Sequence, residues 1–202
     1  MFKLIKMIFN ATILVLAIMG FNAIGGQKYV EMVKVKVGNF IQEKAVESAK
    51  KMGNFSQLNE EFQIENSVNL VGYKAILAEH KASGQKMVII DSGKKPLLTQ
   101  ADINSDKLDK KMQDLTEKFK YQAITVKDVK IVSRGTVNIY DKNVPYAKFE
   151  AKVTKLPFSE ISGIISCVTT KDGSEKLAIS ISEKKKYSQL IANEFFKGVK
   201  EN

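Results

Sequence analysis

The chain has 202 residues, 32 Lys plus Arg against 22 Asp plus Glu, a formal net charge of +10, 44% hydrophobic residues, 12 Gly, 3 Pro and one Cys. This is the composition of one ordinary globular domain, and it excludes collagenous, disulfide-scaffolded and wholly disordered classes. One His (His80), one Cys (Cys167), one Arg (Arg134) and no Trp leave few side chains from which to build a catalytic site.

The chain opens on a segment unlike the rest. Lys3 and Lys6 precede an almost wholly apolar run over residues 7–21, and small residues follow at Ala23, Gly25 and Gly26. A basic start, an apolar stretch of about 15 residues and a small-x-small pattern are the parts of a secretory signal, with cleavage before Gly26. Extended to Ile24, the same stretch reaches about 18 residues, near the lower limit for a retained membrane anchor. Lys28, Lys34 and Lys36 follow it almost as densely as Lys3 and Lys6 precede it, so charge does not orient an anchor. The expected location is extracytoplasmic, as a periplasmic, secreted or membrane-anchored domain, with the signal reading setting the side and the anchor reading leaving its orientation open. Removing residues 1–26 takes away two lysines and no acid and leaves about +8.

Residues 27–72 read as an amphipathic helix and a connecting segment. Over 38–52, Ile41, Ala45, Val46 and Ala49 recur at helical spacing and Gly53 stops the pattern. From residue 73 to 202 the chain reads as an α+β domain. Strands are expected over 73–81 and 86–91, joined by a tight turn at Ser83-Gly84. Leu108, Met112, Leu115 and Phe119 then predict a helix over 104–119, capped by Asn104 or Ser105. Period-two strands follow over 124–133, 136–140, 146–154, 161–170 and 175–183, with turns at Arg134-Gly135, 141–145, Leu156-Pro157 and 171–174. In the strand over 146–154, Ala147, Phe149, Ala151 and Val153 alternate with Tyr146, Lys148, Glu150 and Lys152, so one face is buried and the other wet. A last helix over 187–197 aligns Leu190, Ile191, Phe195 and Val199. The expected architecture is an antiparallel meander sheet covered by helices, preceded by the hydrophobic signal or anchor helix.

The hairpin, the crossing helix, the strands through Val144-Pro-Tyr-Ala-Lys-Phe149, the hairpin over 161–181 and a closing helix ending in Phe195-Phe196 follow one element order. Over roughly residues 73–200 that order resembles the PsbP-like and DcrB-like class of small extracytoplasmic domains. The resemblance implies an accessory, non-catalytic role at a membrane complex or envelope, and no family site residue is carried over.

The motifs of common chemistries do not assemble. A zinc site needs three or four His, Cys or carboxylate ligands, and His80 and Cys167 stand far apart in the chain. Asp102, Asp106 and Asp109 sit where a helix start favours negative charge, without the EF-hand spacing. A Ser-His-Asp triad would have to use His80, in a chain with no Gly-x-Ser-x-Gly elbow. Ser-x-x-Lys occurs four times, from Ser48, Ser83, Ser92 and Ser182, as a lysine-rich composition produces by chance. Phosphate-binding glycine loops are missing, so no cofactor is expected. Cys167, flanked by Ile164, Ile165 and Val168, reads as a small buried hydrophobe.

Lysine supplies almost all the basicity, and lysine is a point charge where arginine reads phosphate bidentately. Tyr140, Tyr146 and Phe149 interleave with Lys142 and Lys148 as strand core and strand surface do, and export removes nucleic acid as a partner. An envelope protein or an anionic envelope component is the expected partner, with the membrane itself reached through an uncleaved N-terminal segment. Asn143, Val144, Pro145 and Tyr146 form the candidate binding loop, since loops on a rigid sheet carry most binding surfaces. The leading expectation is therefore an exported or membrane-tethered accessory domain without catalysis. Two alternatives remain: a carboxylate-dependent hydrolase of an envelope polymer, marked by two carboxyl groups facing a cleft, and a small-ligand or lipid carrier, marked by an apolar cavity.

Overall fold

The computed structural model describes residues 46–47, 49–70, 73–91, 93, 96–117, 125–154 and 156–202. The signal or anchor segment over 1–26 lies outside these residues, as does the chain from 27 to 45. Among the described residues no helix is long and apolar enough to cross a membrane.

Among the described residues, seven strands form one antiparallel sheet: β1 Phe62–Leu70, β2 Tyr73–His80, β3 Lys86–Asp91, β4 Val126–Ile139, β5 Lys142–Val153, β6 Glu160–Thr169 and β7 Glu175–Glu183. Their spatial order is β1-β2-β3-β7-β6-β5-β4. A three-stranded meander is followed by a helical crossover to the opposite edge, and a second meander returns until β7 pairs with β3. The α+β class and its antiparallel sheet are as the alternation predicts.

Helices cover both faces. On the first, α1 Gln100–Asn104 and α2 Leu108–Glu117 seat Ile103 and Leu108 on Leu77, Val88, Phe149, Ile165 and Ile179. On the second, α3 Gln189–Gly198 and residues 49–58 bury Met52, Phe195, Phe196 and Val199 against Ile76, Ile89, Ile164 and Val168. Each fully buried Phe or Met contributes roughly 2 to 3 kcal/mol. With both faces covered, β6 and β7 are buried along nearly their whole length. Their sequences accordingly lack a wet face: Ser162, Ser166, Ser180 and Ser182 fill the second side as small buried residues.

Several sequence expectations are corrected. The helix expected over 104–119 is observed as α2, which starts at Leu108, and a separate short helix, α1, ends at Asn104 before it; residues 118–119 lie outside the described residues. Thr99 caps α1 through a capping box with Asp102, and Ser105 is its C-cap. Ser105 therefore ends one helix, while its hydroxyl accepts from the Lys107 amide at 3.2 Å before the next. Arg134-Gly135, read as a turn, lies inside the continuous 14-residue strand β4, whose irregularities are bulges at 127/130 and 131/133. Leu190 is 78% exposed; the buried stripe of α3 is Ala192, Phe195, Phe196 and Val199, the i, i+3, i+4, i+7 set.

The segment before residue 73 is part of the same core. Residues 46, 47 and 49 are helical, the end of the helix expected over 38–52, and Ala49 and Met52 are buried. The Met52 carbonyl accepts from the Tyr140 hydroxyl at 2.8 Å and the Lys176 ammonium at 3.1 Å, while that ammonium stands 4.9 Å over the Tyr140 ring. Burial pushes the Tyr140 hydroxyl pKa up and the Lys176 pKa down. β1 was unexpected because a bulge between Ile64 and Asn66 interrupts its alternation after Phe62 and Ile64.

Candidate functional site

The four residues of the expected loop belong to strand β5. The turn before them consists of Tyr140 and Asp141, both at positive φ, and pairing begins at Ile139 and Lys142. Val144 is buried in the second-face core, and the Pro145 carbonyl accepts from the Ser166 hydroxyl at 2.7 Å. Asn143 accepts from the Asn138 side-chain amide at 3.0 Å. Tyr146 alone of the four reaches a surface that other functional groups share.

That surface is the part of the second face that α3 leaves open. Down β5 from Tyr146, the side chains on this face are Lys148, Glu150 and Lys152, as the alternation predicts. Across the register, Ser133 faces Lys148, Lys130 faces Glu150 and Lys127 faces Lys152. Lys184, just beyond β7, reaches Glu150 at 2.8 Å and Glu160 at 3.8 Å. Tyr187 closes the strip at its α3 end, with the Lys148 ammonium 5.5 Å from its ring centroid. Five lysines thus stand with three carboxylates, Asp128, Glu150 and Glu160.

The Lys127–Lys152 pair is the unusual element, since like charges directly opposite on neighbouring strands destabilise a sheet. Asp128, in the bulge with φ of 55°, answers Lys152 at 2.9 Å. Each holds the other in its charged form: the Asp128 carboxyl lies below its ordinary range, and the Lys152 ammonium is raised. Lys127, Lys130 and Lys148 have no carboxylate within ion-pair distance among the described residues. The pairing that puts these charges together was not legible in the sequence, because it depends on the register of β4 against β5.

The remaining reactive side chains are bound into the fold. His80 takes the Ser83 hydroxyl on Nδ1 at 2.9 Å and points Nε2 at Glu61, 3.4 Å away. The Ser83 amide also donates to Nδ1, at 3.3 Å, which makes that nitrogen the acceptor. This serine–histidine–carboxylate series closes the β2–β3 turn: the Ser83 hydroxyl accepts from the Gln85 amide at 3.2 Å, and His80 packs edge-on to Phe62. Cys167 is fully buried and its thiol donates to the Leu98 carbonyl at 3.0 Å. Burial, then the negative charge of Glu175, pushes that thiol pKa up. Among the described residues, no group of three or more His, Cys, Asp or Glu stands ready to hold a metal ion.

A carboxyl pair does exist. Glu65 and Glu79 are hydrogen-bonded to each other and both meet the Lys86 ammonium, at 2.8 and 2.9 Å. They touch, whereas retaining glycosidases hold their carboxyl groups about 5 Å apart with the sugar between. Among the described residues, surface grooves lie elsewhere, one of about 410 Å³ around Leu156, Phe158 and Lys185, another of about 740 Å³ between α2 and the start of β4. Both carry lysine and carboxylate among their lining residues.

No protein-family model matches the chain, and no curated protein matches it in sequence.

Proposed function

We propose that this protein is an exported or membrane-tethered, non-catalytic accessory domain that binds an anionic component of the cell envelope through the lysine strip of β4 and β5. The Lys127–Lys152 juxtaposition carries the reading: it opposes folding on an exposed strand pair and has a use if a negative partner lies across it. The signal-like N-terminus supplies the compartment, and the resemblance to PsbP-like and DcrB-like domains points to the same accessory role. Tyr146 and Tyr187 border the lysines and offer aromatic surface beside the charge.

The test is co-sedimentation of the full chain with vesicles of neutral lipid, with vesicles containing anionic lipid, and with neutral vesicles plus a soluble glycerol-phosphate polymer. Changing Lys127, Lys130 and Lys148 together to Ala should weaken capture by the anionic partner several-fold, and salt should weaken the unaltered chain in the same way. Equal capture of the triple variant would sink the strip as the binding surface. This comparison also removes any contribution of residues 1–26, which both chains share.

A further inference from the structure

The lysines of β4 and β5 stand in a row at the foot of a wall. Beyond β7 the chain turns back over β5: Lys184 reaches Glu150 at 2.8 Å, and two residues along the strand the Lys148 ammonium stands 5.5 Å from the Tyr187 ring centroid. α3 begins directly after, capped by Ser188. A helix with its side chains is about 10 Å across, and α3 turns Leu190, 78% exposed, away from the sheet. The strip is therefore a ledge set below the outer surface of α3.

Along this ledge the polar groups follow the strand. Tyr146, Lys148, Glu150 and Lys152 alternate with buried residues on β5, and Ser133, Lys130 and Lys127 oppose the last three across the register. At about 3.3 Å per residue, the row from Tyr146 to Lys152 runs about 20 Å. At its head the Tyr146 ring is laid across the backbone of β4 at Gly135 and is half-buried.

We infer that the ledge takes a linear anionic polysaccharide, lying along β5 with a sugar ring on Tyr146 and its acidic groups on Lys148, Lys130 and Lys127. The inference rests on the lysine strip being the binding surface and names the class of partner that fits it. An extended polymer can lie on a ledge of this length, whereas a flat bilayer meets α3 first. A sugar acid joins an apolar ring face to a charged group within one unit, which suits an aromatic ring beside cations. Glu150, held by Lys184, stands between the lysines as an acceptor for sugar hydroxyls.

Fluorescence polarisation of labelled, size-graded oligogalacturonates with the full chain tests this. Affinity should rise with oligomer length until the oligomer spans about 20 Å and then level. It should exceed the affinity for polyphosphate and for anionic vesicles several-fold. Tyr146→Leu should weaken oligogalacturonate binding about fivefold and Tyr146→Phe should restore it, with polyphosphate binding unchanged in both. Equal affinity for vesicles or polyphosphate, or a Tyr146→Leu variant that binds oligogalacturonate unchanged, overturns the inference and leaves the strip as a general anion surface. Unchanged binding after Lys127, Lys130 and Lys148 all become Ala overturns the strip itself. Should Tyr146→Leu not fold, ring-proton NMR of the unaltered chain decides: Tyr146 signals that shift with added oligogalacturonate support the assignment, and signals that stay in place overturn it.

Discussion

The Tyr146 ring lies over Gly135, its register partner across β4 and β5, so closely that a Cβ at 135 would stand 2.8 Å from the ring. An aromatic side chain covering a strand glycine protects its backbone and holds the register, which is why Arg134-Gly135 continues a strand where its composition suggests a turn. Gly163 and Phe149 repeat the arrangement across β5 and β6, on the other face of the sheet.

The two glycines should not tolerate alanine equally. At 135 the obstacle is a half-exposed tyrosine ring that can swing outward, and Gly135→Ala should cost about 1 kcal/mol. At 163 the new methyl would meet the Ser180 backbone carbonyl as well as the buried Phe149 ring, and the loss should reach about 3 kcal/mol. Urea unfolding of both variants checks the ranking; equal losses would show that the carbonyl gives way.

Gln85 is fully buried and binds α3 to the sheet. Its side-chain amide donates to the Ser180 hydroxyl at 2.8 Å and the Ser188 carbonyl at 2.9 Å, and accepts from the Ser188 amide at 2.8 Å. Gln85→Ala leaves these groups without partners, and about 2 to 3 kcal/mol of unfolding free energy should be lost. Exchange should quicken first at the start of α3, where Ser188 is the N-cap.

The single arginine caps a helix. Arg134 reaches from β4 to the carbonyls of Ile103 and Ser105 at the end of α1, the latter at 2.8 Å. Arg134→Lys keeps the charge and loses the two-pronged geometry, so it should destabilise nearly as much as Arg134→Ala, by about 1 kcal/mol. Full stability in the lysine variant would show that charge alone suffices.

Stability against pH should peak on the acid side of neutrality. Hydrogen bonds from Lys111 and Thr99 hold Asp102 below its ordinary range, and those from Thr170 and Ser174 do the same for Asp172. With folded pKa values depressed, their contribution is present above the ordinary carboxylate range and fades as pH falls through the lowered values. Glu65 has the opposite sign and withdraws its share as pH rises through about 7. A plot of Tm against pH should therefore be highest between about 4.5 and 6 and decline on both sides. Asp172→Asn should flatten the acid limb, and Glu65→Gln the neutral one.

Cys167 should resist iodoacetamide in the folded protein at pH 8 and react fully in urea, since its thiol is buried, hydrogen-bonded to the Leu98 carbonyl and harder to ionise than a free one. Mass spectrometry of the alkylated chain makes the comparison. Rapid labelling of the folded chain would mean that the loop before α1 opens readily.

Local patterns determined much of this protein. Period-two alternation located β2, β3 and β5, the Ser83-Gly84 turn and the wet face of Lys148, Glu150 and Lys152, because the pleat imposes that period wherever one face is buried. The apolar neighbours of Cys167 marked it as core. Tertiary structure decided what depends on pairing between distant residues. It carried β4 through Gly135 under Tyr146, drew Asn143 to Tyr146 into a strand and set Lys127 opposite Lys152. It also turned Leu190 outward, because α3 meets the sheet along the Ala192, Phe195, Phe196 and Val199 stripe. Glu65 met Lys86 only because a bulge shifted the register by one residue. A bulge leaves little mark in hydrophobic periodicity, yet it decides which side chains share a face.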